Sequence, residues 1–225
     1  MLTYNLDIDP KSKWLRATPG EFARAQPFFC TEAGIFLAGK QFDTVRDYKD
    51  SYLLFHTLEG CGRILQGGNE IELPPGQALF LNCRTPQSYY TDPAAGKWTH
   101  YWIHIDGAGV KAMESLLIPE GKITALKTDS NMLQREYDRI LGTLENTSSN
   151  TILSISLSIH RVLTSLIFQN SISYSRNQKL IQKSADYIHD HFNETFDLDT
   201  LLEIAGMGQG ILHAAVPSVY RHHTV

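Results

Sequence analysis

The sequence predicts an α+β chain, with an antiparallel sandwich or small barrel in its first half and helices in its second. Three observations carry this. Short β-rich runs follow one another from about Gly34 to Asp106. Tight Gly/Pro turns separate them. After Asp106 the apolar spacing changes from alternation to a helical period.

The strand runs are "GIFLAG", "KQFDTVR", "SYLLFHTLEG", "GRILQ", "NEIEL", "QALFLN", "QSYYT" and "KWTHYWIHI", broken by "EGCG", "QGGN", "LPPG" and "DPAAG". Residues 1–33 show no clear period and read as an extended N-terminal arm. Residues 108–117 read as a short helix. "NMLQREYDRILGTLE" puts Leu133, Tyr137, Ile140, Leu141 and Leu144 on one stripe. "TILSISLSIHRVLTSLIFQ" puts Ile152, Ile155, Ile159, Val162, Leu163 and Leu166 on another, with Ser154, Ser158 and Ser165 away from it. The short loop "NTSSN" makes this pair antiparallel. "SISYSRNQ" reads as a linker, and "QKLIQKSADYIHDHF" as a further amphipathic helix. Asp197 or Asp199 is available to cap the helix that follows.

Composition narrows the class. The 225 residues are 42% hydrophobic and 20% charged, with a net charge of −4. That is ordinary for a soluble globular chain and leaves no basic footprint for nucleic acid. No apolar run reads as a membrane span, and "MLTYNLDIDPKSK" lacks the apolar core of a secretory signal. Cys30, Cys61 and Cys83 are odd in number and have no CxxC spacing. They read as free thiols in a reducing cytoplasm.

The chemistry concentrates in "KWTHYWIHI". Alternation along a strand puts Trp98, His100, Trp102 and His104 on one face, and Thr99, Tyr101, Ile103 and Ile105 on the other. Indoles offer flat apolar platforms and imidazoles offer directional hydrogen bonds, the mixture a sugar requires. The same residues also suit the packed interior of a barrel. His100 and His104 share a face, but the "EGCG" turn brings no further histidine and position 87 is Gln, so no metal site is expected. No nucleophile constellation stands out. The Gly-rich turns do not open helices as phosphate cradles do.

"YLLFHTLEGCGRI", "ELPPGQALFLNCRTPQSYY" and "KWTHYWIHIDG" together resemble the cupin-type effector domain of AraC-family transcription regulators. The helices at 130–170 resemble that family's dimerisation hairpin, and the stripe Ile152, Ile155, Ile159, Leu163 and Leu166, longer than one hairpin partner needs to cover, is expected to form the homodimer interface. "LIQKSADYIHDHFNETFDLDTLLEIAGM" is similar to the start of its helix-turn-helix domain. The resemblance implies a cupin or jelly-roll-like antiparallel β-barrel, then a helical dimerisation hairpin and a partial helix-turn-helix. It divides the chain into an arm (1–33), an effector barrel (34–107), a dimerisation region with linker (108–175) and a shortened DNA-binding domain (176–225).

It also implies a ligand-responsive regulator, a homodimer in the cytoplasm with no membrane partner, no cofactor and no catalysis. Its effector would be a small molecule, a sugar by the mixture above. Aligned by motif, the ligand positions fall on Arg46, Tyr89, His100 and Trp102, with Phe55 and Thr57 facing inward and Glu59 at the end of their strand. The implied roles are stacking for Trp102, hydroxyl bonding for His100 and Tyr89, and a charge-assisted bond for Arg46. A rim contact with the arm suits Tyr89 and Arg46 equally. A cupin-fold enzyme, or a standalone binding protein with a vestigial helical tail, is the alternative; stoichiometric metal would favour the enzyme.

The segment after Met207 departs from the family. Gly208 stands where a small hydroxyl residue usually caps the recognition helix, Gly210 follows, and Pro217 stops any helix. Gln209 and His213 are its only candidates for reading bases. From Arg176 onward, Arg176, Lys179, Lys183 and Arg221 face six carboxylates at 186, 190, 194, 197, 199 and 203. Specific operator binding by this chain is therefore not expected.

Overall fold

Two antiparallel sheets stacked face to face enclose the core of this computed structural model, which describes residues 1–145 and 148–170 together with Tyr187, Asp199, Thr200 and Leu202. The chain divides into two units, Met1–Asn170 and Ser171–Val225. The fold below is that of the first. Gln209 and His213, like the remainder of the helix-turn-helix reading, lie outside the described residues.

The first sheet has the order β1-β4-β9-β6-β7, formed by Leu2–Asn5, Asp43–Arg46, Gln87–Thr91, Gly62–Gln66 and Asn69–Leu73. The second has the order β11-β8-β5-β10-β3-β2, formed by Leu126–Lys127, Gln77–Asn82, Tyr52–Gly60, Trp98–Asp106, Phe29–Ala38 and Lys13–Arg16. Four α-helices, α1 (Glu21–Arg24), α2 (Ala108–Leu117), α3 (Ser130–Leu144) and α4 (Ser149–Asn170), and a 3-10 turn at Pro119–Gly121 complete the described part of the first unit. Each strand run expected from the sequence is present, as are the helices expected at 108–117, 131–145 and 151–169; the helix expected over 178–192 lies outside the described residues.

Strand β10 organises the molecule. It sits between β3 and β5, with Trp102 opposite Gly34 on one side and Phe55 on the other. Both its faces are covered. Trp98, His100, Trp102 and His104 enter the space between the sheets. Ile103 and Ile105 face Tyr137, Ile140, Ile159 and Val162 of α3 and α4. The Tyr101 hydroxyl donates to Asp138 (2.6 Å), and that of Tyr137 to the Leu54 carbonyl (3.2 Å). Burial on both faces is why large apolar residues occupy both sides of this strand.

The structure corrects the sequence reading in four places. The boundary at 33/34 cuts β3 in half, and the arm supplies edge strands to both sheets: β1 pairs with β4, and β2 with β3. Extended edge strands of four residues are too short to show a period. Residues 126–127, assigned to the helical region, form β11 against β8. Ser158 is buried (1% exposed) because α4 packs more than one stripe, with α3, β3, α2 and β11 all against it. Finally, α4 spans 22 residues and contains an 18-residue window of mean hydropathy 1.5, long and apolar enough by length and composition to cross a membrane. Its Ser, Thr and Asn residues hid this by interrupting the apolar run. In this fold Ile155, Ile159, Val162, Leu163 and Leu166 are buried.

Candidate ligand-binding site

The sheets part at one end of the sandwich around a cavity of about 370 Å³, within the usual size range for a small-molecule site. The floor comes from the inward face of β10, as His100, Trp102 and His104, with Leu53 and Phe55 of β5 and Glu32 and Phe36 of β3. Phe42, Thr44, Arg46 and Tyr89 line it from the opposite sheet and its approach. The arm closes it with Leu2, Tyr4, Leu6, Trp14 and Arg16, and Lys49 enters from the turn after β4.

Trp102 is placed by a glycine. A Cβ on Gly34 would lie 2.3 Å from the Lys13 carbonyl oxygen and 2.8 Å from the Trp102 ring. The bare backbone at 34 lets the indole lie flat against β3 while β2 pairs alongside. The ring then meets Trp14 edge-on (5.9 Å) and Phe36 at a tilt (5.0 Å), and its Nε1 has no hydrogen-bond partner.

His100 is fully buried and stacks on Trp98 at 3.7 Å. Its Nδ1 lies 3.1 Å from the Trp98 carbonyl oxygen. A carbonyl only accepts, so Nδ1 carries the proton and Nε2 keeps a bare lone pair, which has no partner. His104 Nδ1 is bonded to the Ser51 hydroxyl (3.0 Å). Burial holds His100 down to about 3, and burial followed by the Lys49 and Arg46 charges holds His104 well below its ordinary value. Both are neutral. Burial pushes the Tyr89 phenol up to about 12, against the nearby Arg46 charge, so it stays protonated and able to donate.

These histidines set an acid limit on the fold. Between the ordinary 6.5 and the depressed folded value, each binds a proton only when unfolded. Their contribution is present in full above pH 6.5 and is lost as pH falls, for His100 toward about 3. Urea unfolding from pH 7 to 5 is expected to show stability falling by about 1.4 kcal/mol per pH unit for each buried histidine once below 6.5. Replacing His100 with Gln should flatten that slope by one proton. An unchanged slope would place the buried neutral imidazole elsewhere.

Five of the seven ligand positions read from the sequence meet at this cavity: Arg46, Phe55, Tyr89, His100 and Trp102. Two do not. Thr57 faces inward, but Trp98 fills the space before it. Its hydroxyl donates to the Leu73 carbonyl (3.0 Å) and accepts from Trp98 Nε1 (2.9 Å). Glu59 lies at the exposed end of β5, paired with Lys97. The two tryptophans divide the readings left open by the sequence: Trp98 is interior packing and Trp102 a cavity wall. Arg46 is both a cavity residue and the backbone partner of Leu2 in the arm.

Sequence reasoning missed Glu32, Lys49, Trp14 and Arg16. Alternation with Gly34 and Phe36 could have placed Glu32 on the inward face. Lys49, in a turn, left no signal. Among the described residues no three His, Cys, Asp or Glu side chains are grouped to hold a metal, and all three cysteines are unbridged.

A two-sheet antiparallel sandwich with an aromatic cavity carrying unfilled hydrogen-bonding groups is a small-molecule-binding domain of the cupin type. The chain belongs to the family of AraC-like ligand binding domains, whose model matches residues 29–162. No curated protein matches its sequence. Among solved structures it is similar to the AraC-like transcriptional activator CuxR, at 10% identity over 100% of this chain and 95% of that one, TM-score 0.41. It is also similar to ToxT from Vibrio cholerae O395 (12%, 85% and 74%, TM-score 0.39). A third is a Cupin 2 conserved barrel domain protein from Salinispora arenicola CNS-205 (18%, 48% and 87%, TM-score 0.33).

Proposed function

We propose that this chain is the sensing part of an AraC-type transcriptional regulator, with a sugar-class effector held between the sheets. The observation that carries it is the convergence on one cavity of Trp102, His100, Tyr89 and Arg46, three of which bring a buried polar atom without a partner. Buried polar groups are almost always satisfied, and these are positioned for a ligand to do it. A polyol hydroxyl can donate to His100 Nε2 and accept from Trp102 Nε1, while the indole face covers its C–H surface. The arm supports a regulatory role, because Leu2, Tyr4, Leu6, Trp14 and Arg16 form one wall and occupancy alters what they pack against. A melting-temperature screen of the whole chain against monosaccharides and their acidic and phosphorylated derivatives tests this. At a hundred times Kd, a true effector adds about 2.7 kcal/mol of stability. If no member of the panel shifts the transition, the reading fails.

The reading includes a cytoplasmic regulator with no membrane partner, DNA as the partner of the whole regulator with specific binding weak or absent in this chain, and a sensor with no catalytic step. The grouping of polar residues in the cavity offers hydrogen bonds and charge but no paired nucleophile and base. It also includes a homodimer, through a different surface from the one the sequence suggested. Ile155, Ile159, Leu163 and Leu166 are inside the subunit, so a charge at 159 would disrupt the core and report nothing about assembly. The outward face of α4 instead shows Leu153 (47% exposed), Leu157 (49%) and Phe168 (76%), spaced to share one side of the helix. Leu157→Asp is expected to shift light scattering from dimer to monomer at micromolar concentration with little change in melting. A monomeric parent protein would remove the dimer from the proposal.

A further inference from the structure

The cavity holds more positive charge than a neutral sugar needs. Arg16, Arg46 and Lys49 line it, and Glu32 is the only carboxylate that does so among the described residues. Lys49 is paired to Glu32, whose second oxygen accepts from Trp14 Nε1 (3.2 Å). That leaves Glu32 fully engaged. Arg46 has no ion pair and no side-chain hydrogen bond among the described residues, and its Nε is buried. The one acid beside it in sequence, Asp47, is taken by the N-terminal amine at 2.8 Å. Arg16 stands at the rim, its guanidinium 4.3 Å over the Trp14 ring.

The two inner cations also sense each other. Burial and then the Arg46 charge pull Lys49 down, while Glu32 holds it up. The same two charges depress His104, which lines the cavity with them. The histidines are neutral and supply no negative charge. A site that gathers like charges and leaves one guanidinium unpaired is built for an anion, because only a bound negative group relieves both costs.

We infer that the effector carries an oxyanion, held by Arg46 and Lys49 at one end of the cavity while Trp102 and His100 take its polyol body. This rests on the cavity being the effector site. A monosaccharide acid has the required chemistry, with a planar carboxylate suited to bidentate contact with Arg46. A sugar phosphate shares that chemistry.

Calorimetric titration of the whole chain decides it, with glucuronate and galacturonate, the parent glucose and galactose, and their 6-phosphates as probes. An acid or phosphate is expected to bind at least about tenfold tighter than its neutral parent, with affinity falling as salt is raised. Arg46→Gln should remove that advantage, bringing the acid's Kd to within a few-fold of its neutral parent's in the same variant. The double change Lys49→Met with Glu32→Gln, which keeps the local charge balanced, should lose less than Arg46→Gln. Neutral sugars binding as tightly as their acids, or an anion whose Kd ignores Arg46→Gln, would overturn the anion site while leaving the effector cavity standing. Binding by none of the six would remove both. The ratio of uronate to phosphate affinity identifies which oxyanion the site prefers.

Discussion

Trp102→Ala is expected to weaken effector binding by about 30- to 150-fold, from the loss of roughly 2–3 kcal/mol of stacked aromatic contact. The indole is one of two that line the cavity, and at 5% exposure it is the more buried of the pair. Its removal exposes the glycine backbone at 34 and leaves Trp14 and Phe36 without their shared neighbour. Water fills the space, so ligand must then displace water with no platform gained. Trp102→Phe keeps a ring but loses the Nε1 donor, and should fall between. Calorimetry with the compound found by the melting screen measures both. An effector whose Kd is unchanged by Trp102→Ala binds elsewhere, and the cavity would no longer be the sensor site.

Trp98→Ala should instead destabilise the fold, by about 3–5 kcal/mol in urea titration. Trp98 is fully buried and touches Phe42, Phe55 and His100. Its Nε1 satisfies Thr57, and its ring lies so close to β6 that a Cβ on Gly62 would sit 2.3 Å from it. The alanine variant opens a cavity in the middle of the sandwich and removes the surface on which His100 stacks. Domains of this size have only about 5–15 kcal/mol in total. A loss below 1 kcal/mol would mean that the sheets close over the gap and that Trp98 does not set their separation. The pair of variants separates function from folding: Trp102 acts on affinity and Trp98 on stability, although they stand four residues apart on one face.

The strands, their turns and the two long helices were legible because each is a local pattern. β10 announces itself by alternation, and α3 and α4 by apolar spacing. The placement of Arg46, Phe55, Tyr89, His100 and Trp102 at a ligand cavity followed from alternation together with motif likeness. Thr57 and Glu59 were misplaced because alternation tells which way a side chain points and nothing of what fills the space before it. No strand pattern distinguishes Trp98, which packs in the interior, from Trp102, which lines the cavity.

The sequence by itself determined the antiparallel sandwich, the helical half and the inward face of β10, since those follow from short-range periodicity and turn chemistry. Only the tertiary structure decided which surface of α4 is free and that the arm is a wall of the site. It also decided that Lys49 and Arg46 share a cavity with Glu32 as its one lining carboxylate among the described residues. Those facts depend on residues far apart in the chain meeting across two sheets. Charge balance and exposure are sums over neighbours in space, which no window along the sequence contains.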